Sequence, residues 1–194
     1  MGTRLLVTVD NGVSAHAAAQ RAVQRGVELI VTDHHLPGDT LPPAIAVVNP
    51  YRRDAGSFGR GLCGCAIAFK TAWAVAERLR GSTRGDKAEQ FRAFLRDAMG
   101  LVALATISDV VPLKGENRVL VTAGLASLRA STHPGIKALL ETSRLGQQPL
   151  TTDDVAFRIA PRLNAAGRVS KPALVIELLT SEDPTQAHRL ARQL

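Results

Sequence analysis

The 194-residue sequence predicts an α/β fold, a parallel sheet with helices packed around it, followed by a mainly helical segment. Two observations carry this. Leu5 to Val9, the "VELIV" run ending at Val31 and the later "AIAVVN" are short, apolar and β-branched, and a stretch of strong helix formers separates the first two. Strand, helix and strand in that order make a right-handed crossover, which leaves the strands parallel with their carboxyl ends on one edge. The second observation is a change of texture: beyond residue 61 the pattern is predominantly helical to the end of the chain.

Each element follows from local chemistry. Asn11-Gly12 turns the chain out of the first strand, and "SAHAAAQRAVQR" favours a helix with Ser14 placed to cap it. Gly26 supplies a left-handed residue to stop that helix. The third strand follows the proline-rich "LPGDTLPPA" loop and ends before Pro50. Residues 51 to 61, "YRRDAGSFGRG", form a basic loop. "CAIAFKTAWAVAERLR" carries apolar residues on most faces and predicts a largely buried helix, after which Gly81 to Gly85 read as a turn. "AEQFRAFLRDAMGLVALATI" predicts a long helix interrupted near Gly100, and "ENRVLVTAGLASLRAS" an amphipathic one. Shorter helices are expected at "PGIKALLET", "DDVAFRIA", "PALVIELLT" and "PTQAHRLARQL", with Pro172 and Pro184 in first-turn positions.

Composition narrows the function. Hydrophobic residues make up 45% of the chain, ample for a core, and Lys plus Arg is 24 against 17 for Asp plus Glu, a net charge of +7. That balance favours phosphate-rich partners, although a generally basic surface explains it equally well. The two cysteines, Cys63 and Cys65, stand too close for a disulfide and fit a reducing, cytoplasmic setting. No apolar run reaches membrane-spanning length, so no membrane partner is expected.

Chemistry concentrates at the strand ends. In an open α/β sheet, ligands bind beyond the carboxyl ends of the strands. Asp10 follows the first strand directly, and Asp33, His34 and His35 follow the second in "VTDHH". Carboxylate with imidazole suits Mn²⁺, Fe²⁺ or Zn²⁺ better than Mg²⁺. Adjacent side chains point in different directions, so one histidine is expected to ligate while the other faces substrate. Turn forming, capping and plain surface polarity are the alternatives. Asp109 interrupts the otherwise uncharged "LVALATISDVVPL", where a buried carboxylate needs a cation, a helix cap or an arginine.

Other patterns are weaker. Cys63-Gly64-Cys65 has no matching pair for zinc and reads as small buried residues. His16, His133 and His188 show no partner spacing, and Walker, dinucleotide and nucleophile-elbow patterns are absent from the sequence. "IAPRLNAAGRVSKP" offers Arg162, Asn164 and Arg168 either as an anion grip or as an ordinary basic loop between helices. Arg52, Arg53 and Arg60 with Tyr51 and Phe58 are candidates to line a strand-binding channel, but aromatic residues are only 4% of the chain, so stacking is limited.

Together "VTVDNG", "VTDHH", "ISDVVPLKGENR" and "APRLNAAGR" resemble the DHH phosphoesterase superfamily, and within it the RecJ family of bacterial single-stranded-DNA exonucleases. The match extends over nearly the whole sequence. The resemblance implies a two-metal hydrolase using Mn²⁺ or Mg²⁺ that removes nucleotides from the 5′ end of single-stranded DNA in repair and recombination. It implies Asp10 as a bridging metal ligand, His34 as a metal ligand and Asp109 as a ligand of the second ion. His35 would act near the scissile phosphate, Asp33 would orient the histidines, and Arg162, Asn164 and Arg168 would contact DNA phosphates. The chemistry implied is in-line attack of water, with the ions stabilising attacking and leaving oxygens.

The family pattern also has an earlier "DxDxxG" strand and a later DHHA1 domain, neither of which stands in this sequence. The chain therefore reads as a central fragment, with residues 1–130 as an incomplete DHH core and 131–194 as a helical extension. Such a fragment is expected to bind at most one metal weakly, to have little activity, and to carry an open sheet edge liable to self-association. A phosphoesterase of short oligonucleotides or cyclic dinucleotides, and a non-catalytic nucleic-acid-binding module, are the alternatives.

Overall fold

The computed structural model contains a parallel sheet in the order β1 (Leu5–Val9), β2 (Glu28–Thr32), β3 (Ala46–Val48), with Val7 beside Ile30 and Ile30 beside Ala46. It describes residues 2–56, 59–80, 86–145, 147–168 and 172–194, without the side chains of 79–80, 86–88 and 167–168. The turn expected at Gly81 to Gly85, and Phe58, lie outside these. The α/β reading holds: a small parallel sheet is accompanied by many helices.

The chain divides into two compact units, Met1–Leu95 with Val111–Asn117, and Arg96–Val110 with Arg118–Leu194. In the first, α1 (His16–Gln24) covers the sheet through a core of Val13, Ala19, Leu29, Val31 and Val47. Ser14 does not cap α1. The helix starts two residues later, Ala15 occupies the cap position without a side-chain bond, and the Ser14 carbonyl instead accepts the His16 N–H at 3.0 Å. Gly26 stops the helix as expected, with φ +68°. At the turn after β1, Gly12 has φ +112°, and a Cβ there would meet Thr8 Oγ1 at 2.8 Å.

Also in this unit, α2 (Gly64–Arg80) buries Ala66, Ile67, Phe69 and Ala76. It is less buried than its composition suggests. Trp73 and Val75 are about half exposed, because one stripe of the helix packs while the opposite side meets water. The sheet's first strand is similarly open: Leu5, Leu6, Val7 and Val9 are each 45–49% exposed.

The second unit is helical. It holds the last turns of α3 (Asp86–Ser108), most of α4 (Gly115–Ala130), α5 (Pro134–Thr142), α6 (Thr152–Asp154), a π-turn (Val155–Ile159), α7 (Ala160–Arg168), α8 (Pro172–Thr180) and α9 (Pro184–Ala191). Its core centres on Leu128, Leu139, Val155, Ile159 and Leu178. Three helix starts are capped by side chains. His133 Nδ1 accepts the Gly135 N–H at 3.1 Å, Asp183 accepts that of Thr185, and Thr151 with Asp154 form a reciprocal capping box. Pro172 and Pro184 occupy first-turn positions, as the sequence predicts.

Gly100 does not interrupt α3. It lies where α3 crosses α4, and a Cβ on it would sit 3.1 Å from the Leu128 backbone nitrogen. Gly124 of α4 makes the tighter approach, its absent Cβ position lying 2.4 Å from the Met99 carbonyl oxygen and 2.5 Å from Ala103 Cβ. These glycines sacrifice helix propensity for close backbone packing. Gly124→Ala is therefore expected to destabilise the chain by about 1–3 kcal/mol in urea unfolding, against alanine's ordinary advantage in a helix. A variant as stable as the parent would show that the crossing has room for a methyl group.

Candidate metal centre

The three strand ends deliver polar residues to one edge. Asp10 follows β1, Asp33 follows β2 and Asn49 follows β3. Backbone bonds fix this register beyond the strands, from Asp10 N–H to the Thr32 carbonyl and from Asp33 N–H to the Val48 carbonyl, both 3.0 Å. Thr32 Oγ1 adds a 2.7 Å bond to the Thr8 carbonyl.

Asp33 is the anchor of the site. Its side chain is 2% exposed. One oxygen accepts the Val13 N–H at 2.9 Å, while the other accepts the His34 N–H at 2.8 Å and the His35 N–H at 3.2 Å. The same oxygen lies 2.7 Å from His35 Nδ1. Burial pushes the Asp33 carboxyl up, but the bonds from Val13, His35 and His34 together bring it below its ordinary value. The carboxylate thus fixes both histidine backbones and orients one ring. Asn49, which the sequence reading missed, completes the support by donating from Nδ2 to the His35 carbonyl at 2.8 Å. Its only sequence signal is its place directly after a strand.

The opposite histidine meets the first strand. His34 Nε2 lies 3.0 Å from Asp10 Oδ1, and the rings of His34 and His35 stand 4.5 Å apart at 59°. Ligand atoms of Asp10, His34 and His35 all fall within 4.8 Å of one another. A separation of 3.0 Å equals the edge of a coordination octahedron with bonds of about 2.1 Å. Asp10 and His34 are thus already spaced to share one small cation, His35 stands within reach of the same point, and the mixed oxygen and nitrogen donors suit a divalent transition ion. Asp10 itself adopts φ +65°, a left-handed conformation that aspartate tolerates better than most residues.

Nothing in the sequence signals what lies behind Asp10. Gly64, the first residue of α2, packs directly against it, and Cys65 is close enough to sense its charge. Burial first, then Cys63 and Asp10, push the Cys65 thiol up to about 12. Both cysteines are free, as expected of small packing residues.

Asp109 belongs to the second unit, one residue beyond α3. It is exposed, so the burial cost that demanded a cation does not arise there. The α3 helix ends before Asp109, whose N–H still bonds the Ala105 carbonyl at 2.9 Å, and Val110 follows with φ +57°. "APRLNAAGR" forms α7 rather than a loop. Asn164 lines a cavity of about 630 Å³ together with Ser108 and Val110, the two neighbours of Asp109. Arg162 lines a second cavity of about 420 Å³ with Arg144, Phe157 and Arg158. The Arg168 side chain lies outside the described part.

The basic loop of the first unit is committed to local contacts. Arg52 bonds Asp54 and the Val47 carbonyl, Arg53 reaches Asp39 at 3.3 Å, and Arg60 stacks 6.0 Å from the Tyr51 ring centre.

Comparison with known proteins decides the family. The family model for the DHH family, N-terminal domain, matches residues 3–106. The chain belongs to the DHH family. Among DHH relatives, the single-stranded-DNA-specific exonuclease RecJ of Escherichia coli (strain K12) is 43% identical over 194 residues, which is 100% of this chain and 34% of that protein. The RecJ of Bacillus subtilis (strain 168) is 35% identical over 193 residues, 100% of this chain and 23% of that protein. A crystal structure of exonuclease RecJ bound to manganese matches with a TM-score of 0.82 and 37% identity, covering 97% of this chain and 45% of that one. RecJ of Thermus thermophilus in complex with Mn²⁺ matches with a TM-score of 0.80 and 38% identity over 97% of this chain and 26% of that one. This DHH chain thus spans about a third or less of the length of these curated relatives.

Two outcomes follow from the site's geometry. Asp33→Asn keeps the shape but replaces a charged acceptor of several hydrogen bonds, and is expected to cost about 2 kcal/mol or more in chemical unfolding; a loss under about 0.5 kcal/mol would show that the network is not holding the DHH histidines. With its thiol near 12, Cys65 has a thiolate fraction of roughly 10⁻⁴ at pH 8, so the folded chain should react with a thiol reagent far more slowly than the urea-unfolded chain.

Proposed function

We propose that this chain serves a metal-dependent exonuclease that degrades single-stranded DNA from its 5′ end in DNA repair and recombination in the cytoplasm. The observation that carries the reading is the convergence of Asp10, His34 and His35 at the carboxyl ends of β1 and β2 in a chain of the DHH family. The RecJ relatives supply the substrate class, and those solved with manganese supply the ion.

Asp10, His34 and His35 would hold a Mn²⁺ or Mg²⁺ ion, with Mn²⁺ favoured by the nitrogen donors. A divalent ion here supplies positive charge at a phosphodiester oxygen and lowers the pKa of coordinated water. The protein's own contribution is rigidity. Asp33 holds His35 Nδ1, and half-exposed Asp10 keeps the site open to a polymer. Asp109 is the candidate ligand for a second ion. Two near-octahedral ions need about a dozen positions between them. The three converging donors fill part of one shell, so the isolated chain is expected to bind a single ion and to cleave slowly.

Features of the second unit support a single strand as ligand. The π-turn buries Val155 and Ile159 while Phe157 is left 77% exposed. Arg158 is committed to the Ser143 and Arg144 carbonyls, at 3.0 and 2.7 Å, where it completes the end of α5. Arg144 and Arg162 make no ion pair among the described residues, which leaves two cations beside an exposed aromatic ring. Cations meeting phosphates and a ring stacking on a base are the usual means of holding an unpaired strand. Self-association through the exposed β1 residues belongs to the same proposal.

The first test is release of nucleotides from a 5′-phosphorylated, 3′-labelled single strand with Mn²⁺, using His34→Ala as the control. Slow, Mn²⁺-dependent release that vanishes in the control is expected, and release that persists in the control would remove the metal centre from the mechanism. In binding measured by fluorescence anisotropy, Phe157→Ala should cost about 1–3 kcal/mol. Arg162→Ala should flatten the slope of log affinity against log salt by about 0.7. Unchanged affinity and slope would place the DNA elsewhere on the chain.

A further inference from the structure

Gly64 opens α2, and its position is at odds with ordinary helix chemistry. A Cβ built on it would lie 2.2 Å from Asp10 Oδ1 and 2.5 Å from both Asp10 Cβ and Cγ. No side chain tolerates contacts that short, so any residue but glycine must push Asp10 away. Asp10 has little freedom to retreat. Its N–H is bonded to the Thr32 carbonyl at 3.0 Å, its backbone is already left-handed at φ +65°, and it ends a strand paired along its length with β2. Rotating its side chain would relieve only the contacts to Oδ1 and Cγ, since Cβ moves with the backbone; rotation and backbone shift alike would disturb the 3.0 Å approach of Oδ1 to His34 Nε2.

We propose that Gly64 is a positioning residue of the metal centre: its missing Cβ is the space in which the Asp10 carboxylate lies while it faces His34. The inference rests on the metal reading given above and adds to it a residue that touches no ion. It also explains why glycine stands within a helix's first turn beside an otherwise apolar run, where alanine is the better helix former. The alternative is that Gly64 merely eases the entry of the chain into α2. That role would be indifferent to what residue 10 carries.

The test is a cycle of four chains: the unsubstituted chain, Gly64→Ala, Asp10→Gly, and both together. Mn²⁺ binding is followed by loss of the free-ion electron paramagnetic resonance signal, and thermal unfolding is followed without metal. Gly64→Ala alone should weaken Mn²⁺ binding about tenfold or more and lower the melting temperature. With Asp10→Gly, the same substitution should leave the residual Mn²⁺ binding unchanged and raise the melting temperature, because the clash is gone and alanine's helix preference remains. Parental Mn²⁺ affinity in Gly64→Ala, or a melting shift of the same sign in both backgrounds, would overturn the proposal. If the unsubstituted chain takes up no Mn²⁺, the metal reading fails, and the metal-free melting comparison still decides whether Gly64 sets Asp10.

Discussion

The buried carboxylate of Asp33 is the interaction on which the site depends. A charge almost sealed from water is costly unless its oxygens are satisfied, and here four hydrogen bonds satisfy them. Each donor lies on a segment whose direction matters. Val13 leads from the β1 turn into α1, and His34 and His35 form the tip of β2. One side chain therefore ties two strand ends together and fixes the histidine backbones before any ligand arrives. Because the donors surround it, the charge stays on Asp33 at neutral pH, and the orientation of the His35 ring does not depend on a neighbouring proton.

The contrast between Asp33 and Asp10 is one of burial, and under the proposed metal reading it separates support from contact. Asp33 is immobilised by burial; the Asp10 side chain is 57% exposed. An ion ligand has to exchange partners, whereas its support has to resist doing so. The second unit shows the same division on a helix. Adjacent residues of the π-turn serve opposite ends, Arg158 turning inward to carbonyls and Phe157 outward to solvent, since the extra residue in the turn offsets the faces of α6 and α7.

Much of this was legible in the sequence because the relevant signals are local. The apolar runs end in Asp10 and in Asp33-His34-His35, so strand periodicity alone brings these residues to one edge. What was not legible depends on packing at a distance. Gly100 carries the mark of a helix breaker, yet its value lies in the approach of Leu128, 28 positions away in the sequence. Ser14 has the chemistry of a cap, but the helix begins beyond it. Asp109 stands in an apolar run that implied burial, while the helix ends one residue earlier and leaves it exposed. Asn49 carried only its place after a strand and Gly64 no signal at all, since one reads as a strand terminator and the other as a small residue until their partners are known.

Val110 has a wider consequence. It is β-branched, 87% exposed and held at φ +57°, a conformation that costs such a residue on the order of 1–3 kcal/mol. Asp10, at φ +65°, ends β1 in the same backbone region. Left-handed backbone thus occurs at one candidate ligand and directly after another. A protein engineer ranking positions by strain would choose these for repair, and glycine at 110 would gain stability on paper. The gain would come by loosening the chain beside Asp109, the proposed ligand of a second ion, so under that proposal thermal robustness and chemical competence pull apart at this turn.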